Sequence, residues 1–181
     1  MDIPVEIFLC LGSNQGDRLN FLDMACKQIG VRIGPVLKRS SVYETEPWSM
    51  KEVHPFLNQV LLVSTLMDPL DLLKAVKKIE SETGRDGVHH SHESGRTMQP
   101  AGQAYASRCI DIDILFYGAA IIDLPDLIIP HPLLAERRFV LMPVAEIAGN
   151  FIHPGLNRSM NELLASCRDT GKVFPLPQYP Q

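Results

Sequence analysis

Asp111 and Asp113 stand two residues apart inside SRCIDIDILFYG (107–118), a run that is otherwise apolar and rich in β-branched residues. Such a run reads as a buried strand. Strand side chains alternate, so the two carboxylates share one face while Ile110, Ile112 and Ile114 share the other. Two like charges about 7 Å apart along a strand are tolerable on a wet face. They become favourable where divalent cations sit between them and a polyanion, because Mg²⁺ is held by one or two carboxylates together with substrate phosphates. A half-buried strand with a solvated face fits the same spacing, and Asp-x-Asp pairs also serve nucleases and glycosyltransferases.

Basic residues flank the pair: Arg108 just before it, Arg85 closing an earlier helical pattern, and Arg137 with Arg138 after a His-Pro turn at His131. Arginines gathered on a metal-carboxylate strand would neutralise and orient phosphates, which is most of what phosphoryl transfer needs. Taken singly, each also fits a solvated surface charge. No G-x-x-x-x-G-K-[ST] occurs, which excludes a P-loop. Leu73, Lys77 and Glu80 fall on one helix face at i, i+4 and i+7, either beside a site or as an exposed ion-paired face. Phe56 and Asn58 share a strand face. A flat heteroaromatic ring wants such a stacking plane and edge partner, though one core aromatic and one edge amide fit equally. His89, His90 and His92 lie in a Gly/Ser-rich stretch with no fixed geometry and read as solvated loop residues.

The elements that must position these groups follow from periodicity. VEIFLCLG (5–12) reads as a central strand; Leu19, Leu22, Cys26 and Ile29 repeat at helical spacing, with Gly30 as the expected C-cap. VLKRSSVYE (36–44) and FLNQVLLVSTL (56–66) read as two further strands. Asp68 and Pro69 open a second helix whose stripe is Leu72, Leu73, Val76 and Ile79 and which Gly84 should end. Residues 86–104 have no period and form a long loop of the kind that carries function or stays disordered. The aspartate strand follows, then short helices over 139–149 and 160–167. The order β-α-β-β-α-β predicts a ferredoxin-like α+β fold: an antiparallel sheet with two helices on one face, the other face open to a ligand, and a short C-terminal helical extension.

At 181 residues the chain supports one well-filled core, so a single domain over 1–181 is expected. A net charge of −4 speaks against a nucleic-acid-coating protein, without excluding a polyanionic small substrate. No apolar run approaches the length of a membrane span. MDIPVEIFLCLGSN carries acids where a secretory leader carries bases, and the four cysteines form no C-x-x-C. A cytoplasmic chain with reduced thiols is expected.

In order along the chain, LGSNQGDR, SSVYETEPW, FLN, the IE…GR of the second helix, RCIDIDIL and IPHPLLAERRFVLMPVAEIAG resemble the 6-hydroxymethyl-7,8-dihydropterin pyrophosphokinase family, from about residue 5 to about residue 154. That family's fold is ferredoxin-like. The resemblance implies transfer of the β,γ-pyrophosphoryl group of ATP to the pterin hydroxymethyl oxygen, leaving AMP, in folate biosynthesis. It implies two Mg²⁺ ions on Asp111 and Asp113, with Arg85 and Arg108 on the phosphates as further catalytic residues. ATP would meet Leu73, Lys77, Glu80, Ile114, Ile128, His131 and Arg137. The pterin would lie between Phe56 and Phe139, with Asn58 on its polar edge and Thr45, Glu46 and Trp48 in a loop beside it. Residues 86–104 match a flexible loop that closes over the phosphates, excluding water. The implied partners are the two small substrates, with no nucleic acid or membrane, and a monomer is expected.

Several positions depart from the family's habit. Phe56 stands where Tyr is often found, Lys77 for Gln, Tyr105 for a Trp that caps the pterin and Pro132 for a Tyr. Asp86 and Gly87 occupy the place of a second base after Arg85, which Arg96 could replace. The readings from other classes are a metal-dependent nucleotide hydrolase using Asp-x-Asp, and a non-catalytic ferredoxin-like nucleotide-sensing module. Neither needs Phe56, Phe139 and Asn58.

Overall fold

The computed structural model describes residues 3–45, 55–86 and 109–177, with only the backbone of residues 85 and 86. Its centre is β1 (Val5–Ser13), flanked by β4 (Phe56–Thr65) and β5 (Asp111–Tyr117), both antiparallel to it. β4 pairs on its far side with β2 (Val36–Arg39) and β3 (Tyr43–Thr45). The residues of 36–44 thus form two short strands where the sequence predicts one. A register shift between Val36 and Lys38 bends the edge, and at the break the Ser40 hydroxyl accepts the Val60 N–H at 2.9 Å. With the broken strand counted as one, the order β5-β1-β4-β2/β3 is the split βαβ arrangement read from the sequence.

α1 (Arg18–Arg32) begins at Asp17, whose carboxylate accepts the Asn20 N–H, and runs through Gly30 rather than ending there. The stop is Gly34, at φ +152°, where any Cβ would collide with the Ser64 carbonyl. α2 (Pro69–Asp86) starts as the sequence requires, with Asp68 Oδ1 accepting the Leu70 and Asp71 N–H groups at 2.9 and 3.0 Å. It continues past Gly84, so that glycine is not its terminus. α1 and α2 cover one sheet face, packing Phe21, Leu22, Ile29, Leu72, Val76 and Ile79 on Ile7, Leu9, Leu11, Leu61, Ile112 and Ile114.

The second face is not open along its whole length. α3 (Arg138–Ala148) and α4 (Met160–Ala165) bring Val140, Leu141, Val144, Met160 and Leu163 onto Phe8, Cys10, Val60, Leu62, Leu115 and Phe116. A bulge between Phe8 and Leu9 leaves Leu115 unmatched, so Leu115 and Phe116 both reach this second core. Among the described residues, neither α3 nor α4 packs over the end of the sheet that holds Gly12, Asn58, Asp111 and Asp113. A hairpin of β6 (Ile122–Leu124) and β7 (Leu127–Ile129) follows β5, and β8 (Val173–Pro175) adds an edge strand to β3. The sequence suggested neither; the C-terminal extension is helical only as far as Ala165.

Candidate active site at the open end of the sheet

Asp111 and Asp113 occupy one face of β5 at intermediate exposure, while Ile112 and Ile114 are buried against α2, as strand alternation requires. β5 is an outer strand, and its Ile112 N–H is taken up by a side chain: Glu80 Oε1 of α2 accepts it at 2.7 Å. A charged acceptor makes this one of the stronger hydrogen bonds, and it anchors the peptide between the two aspartates. Around this edge opens a cavity of about 380 Å³. It gathers Leu73, Lys77 and Glu80 from α2, Asp111, Asp113 and Ile114 from β5, and Ile128 and His131 from the hairpin and the turn after it. Three segments, α2, β5 and the hairpin with its following turn, therefore meet at this edge.

Electrostatics at the site follow from burial and the two acids. Cys10 lies directly across the ladder from Asp113. Burial first, and then the charges of Asp113 and Asp111, push its thiol far above the ordinary range, so it stays a neutral floor under the carboxylates. Burial also pushes the His131 imidazole below its usual value, with Asp113 pulling the other way and Arg137 adding to the depression. His131 Nδ1 accepts the Leu133 N–H at 3.3 Å, which leaves Nε2 to carry the ring proton and act as a donor. Arg137 does not line the cavity, yet its charge is felt at both Cys10 and His131, and its guanidinium lies 5.8 Å over the Phe139 ring.

Beside the acids runs a row of paired residues across the sheet: Tyr43, Asn58, Gly12, Asp111. Asn58 is buried and its Nδ2 donates to Thr45 Oγ1 at 2.9 Å, which fixes the orientation of the amide. Tyr43 donates its hydroxyl to Glu146 Oε2 at 3.0 Å; burial and that carboxylate push its pKa up to about 12. Phe56 pairs with Thr45 two residues further along, and Phe56 and Phe139 are both half-buried. Gly12 was not singled out by type or spacing, yet a Cβ there would lie 3.2 Å from Asn58 Oδ1. The signal was present in LGSN: a glycine in a strand marks close approach by something else.

Of the other expected residues, Glu46, Trp48 and Arg108 lie outside the described residues, as do Arg96, Tyr105, His89, His90 and His92. Arg85 ends α2, and only its backbone is described. Among the described residues no three or more His, Cys, Asp or Glu side chains cluster as a metal site. A second cavity, about 720 Å³, opens at the break between β2 and β3, beside Asp23, Arg39, Gln59 and Glu146; none of the expected residues lines it. Among the described residues no helix is long and apolar enough to cross a membrane.

Residues 8–149 match the family model described as 7,8-dihydro-6-hydroxymethylpterin-pyrophosphokinase. A 2-amino-4-hydroxy-6-hydroxymethyldihydropteridine pyrophosphokinase of Porphyromonas gingivalis is 38% identical over 149 residues, covering 82% of this chain and 93% of its own. The enzyme of the same name from Aquifex aeolicus is 35% identical over 156 residues, 86% of this chain and 88% of its own. A folic acid synthesis protein of Pneumocystis carinii is 38% identical over 82% of this chain, which spans 18% of that longer protein. Among solved structures, wild-type Plasmodium falciparum HPPK-DHPS with pteroate superposes with a TM-score of 0.70 at 16% identity, over 91% of this chain and 44% of that one. That likeness concerns the fold.

Proposed function

The chain belongs to the 7,8-dihydro-6-hydroxymethylpterin-pyrophosphokinase family, and on that premise we propose how its own residues carry the reaction. The enzyme transfers a pyrophosphoryl group from ATP to 6-hydroxymethyl-7,8-dihydropterin in folate synthesis. The β,γ-pyrophosphate moves to the hydroxymethyl oxygen: the bond between the α- and β-phosphates breaks, AMP leaves, and the hydroxyl proton is released. One observation carries the assignment of residues. Asp111, Asp113, Glu80, Lys77 and His131, separate in sequence, line one cavity at the open end of the sheet.

In this reading the nucleotide lies in the cavity between α2 and the hairpin. Leu73, Ile114 and Ile128 give it apolar walls, Lys77 and His131 Nε2–H face its phosphates or sugar, and Arg137, outside the cavity lining, adds its charge from beside His131. Asp111 and Asp113 fit two Mg²⁺ ions: they are hard oxygen donors, half-exposed on one face of a strand, with room beside them for phosphate oxygens. Bound there, the metals would neutralise charge on both the attacking and the leaving oxygen. Glu80 holds the aspartate strand in place through Ile112. Arg85 and Arg108, at the two ends of the 86–104 segment, complete the charge balance over the phosphates. The pterin is assigned to Phe56 and Phe139 for stacking, Asn58 for its polar edge, and Thr45, Glu46 and Trp48 alongside.

A single-domain cytoplasmic monomer is the proposed form, and four free cysteines suit a reducing compartment. The decisive experiment incubates the protein with ATP, Mg²⁺ and 6-hydroxymethyl-7,8-dihydropterin and follows AMP against ADP. AMP formed only with pterin, and abolished by EDTA, is expected. ADP or phosphate released without pterin would refute the reading in favour of a nucleotide hydrolase. Binding of either substrate with no product would favour a sensing module.

A further inference from the structure

α3 starts at Arg138 without help from its own flank: the residue at its N-cap, Arg137, makes no side-chain capping bond. The acceptor comes from the C-terminal segment. Asp169 Oδ2 accepts the Arg138 N–H at 2.9 Å, and Asp169 Oδ1 accepts the Gly171 N–H at 2.8 Å. A carboxylate there satisfies one orphan donor of the helix and complements its dipole. Gly171 sits close enough that a Cβ would lie 3.0 Å from Asp169 Oδ1, so the tail turns tightly around the acid.

Immediately beyond, β8 pairs with β3. Val173 stands opposite Thr45, Phe174 opposite Glu44, Pro175 opposite Tyr43, and the Leu176 N–H donates to the Val42 carbonyl at 2.8 Å. A short piece of chain, entirely outside the matched residues 8–149, thus ties two separate elements together. One is the first turn of α3, which carries Phe139. The other is β3, whose Thr45 receives the Asn58 amide. Both hold residues assigned to the pterin, and neither lines the nucleotide cavity, although Arg137 at the α3 N-cap is assigned to the nucleotide.

We infer that residues 169–176 are a strap that sets the pterin side of the site, with Asp169 as its positioning residue. The inference rests on the pterin assignment of Phe139, Asn58 and Thr45. Asp169 touches no substrate. It fixes where α3 begins and hence where Phe139 stands relative to the Thr45–Asn58 edge, and β8 holds that edge from the other side. A strand that merely covered a sheet edge would protect against aggregation but would favour neither substrate.

The test compares wild type with Asp169→Ala, Asp169→Asn and Phe139→Ala, and with a chain ending at Gly171, by steady-state AMP formation with each substrate varied in turn. Asp169→Ala and the shortened chain should raise KM for the pterin about fivefold, the size of a lost helix cap, with a clearly smaller change in KM for ATP, to which only the neighbouring Arg137 is assigned. Asp169→Asn, which keeps an oxygen acceptor, should restore most of the loss. Equal changes in both KM values, a fall in kcat alone together with a lowered melting temperature, or no change would each overturn the strap. Phe139→Ala separates the two levels. If it leaves the pterin KM untouched, the pterin assignment itself fails. If it raises that KM while Asp169→Ala does not, the assignment stands and only the strap falls.

Discussion

Gly12→Ala is a substitution whose consequences can be worked through atom by atom. Gly12 lies in β1 between Asn58 and Asp111 and has no positive φ, so alanine fits its backbone. On backbone entropy alone the change should stabilise the chain by roughly 0.5–1 kcal/mol. The new methyl, however, would lie 3.2 Å from Asn58 Oδ1, and Asn58 is 3% exposed with its Nδ2 tied to Thr45 at 2.9 Å. Something must yield by a few tenths of an ångström, and the amide is what can turn. On the proposed reading that amide binds the polar edge of the pterin. Its misalignment should cost about 1–2 kcal/mol of pterin binding, roughly a 5- to 30-fold rise in KM. KM for ATP should hold, because the nucleotide cavity is not touched, and the melting temperature should stay level or rise. Steady-state AMP formation with each substrate varied in turn, plus a thermal melt, reads all three. In an Asn58→Ala background the same methyl should add nothing further, since its effect passes through the lost amide. The reasoning is refuted if both KM values rise together, or if Gly12→Ala still raises the pterin KM after Asn58 is gone.

Asp111→Asn and Asp113→Asn should each lower turnover at least about a hundredfold, while stability holds or rises slightly, because like charges about 7 Å apart repel by roughly 0.6 kcal/mol in water. Retained turnover in both variants would sink the two-metal assignment. Glu80→Ala removes the charged acceptor of the Ile112 N–H and should cost about 1.5–3 kcal/mol of stability, read as a lowered melting temperature, together with activity. A fall in activity at unchanged melting temperature would mean that Glu80 acts on the nucleotide alone. His153 is buried, its Nδ1 accepting the Gly155 and Leu156 N–H groups, and burial lowers its pKa below 6.5. The unfolded chain then binds a proton at higher pH than the folded one. The His153 contribution is complete above pH 6.5 and is lost as pH falls from there through the folded value. His153→Gln should flatten the melting temperature between pH 7.5 and 5.5 (a range of about 2 units around an ordinary imidazole pKa), and a variant profile as steep as wild type would contradict this.

What was legible in the sequence is what local chemistry decides. β1, β4 and β5 were readable as apolar runs, and α2 from Asp68-Pro69 and its stripe, because each carries its own signal of type and period. Asp111 and Asp113 stood out because alternation puts two charges on a single face. What was hidden depends on partners far along the chain. Gly30 and Gly34 look alike as helix stops, and only the Ser64 carbonyl beside Gly34 decides between them. The break at Ser40–Val42 answers to β4, where the Ser40 hydroxyl takes the Val60 N–H. β8 ends in Pro175, with Pro177 just beyond, and has little apolar alternation; it is a strand because β3 offers it an edge. Glu80 was found on the right helix face, but its bond to Ile112 could not be, since helix spacing says nothing about which backbone donor an outer strand leaves free.

The row Asn58, Gly12, Asp111 shows why the site sits where it does. Neighbouring strands lie about 4.8 Å apart, so the amide and the carboxylate stand on either side of the central strand, roughly 10 Å from one another. A side chain on the central strand would fill that gap, as Cys10 fills the next position on the same face beneath α3 and α4. Glycine leaves it empty. In the proposed reading a flat ring laid over Gly12 has its polar edge at Asn58 and its hydroxymethyl arm toward Asp111, where the phosphates arrive from the cavity at the outer edge of β5. The second core ends at Cys10, and in the same reading that is because two residues further along β1, at Gly12, the face is left bare for substrate. A larger residue at position 12 would extend the core by one layer and close the distance across which the two substrates meet.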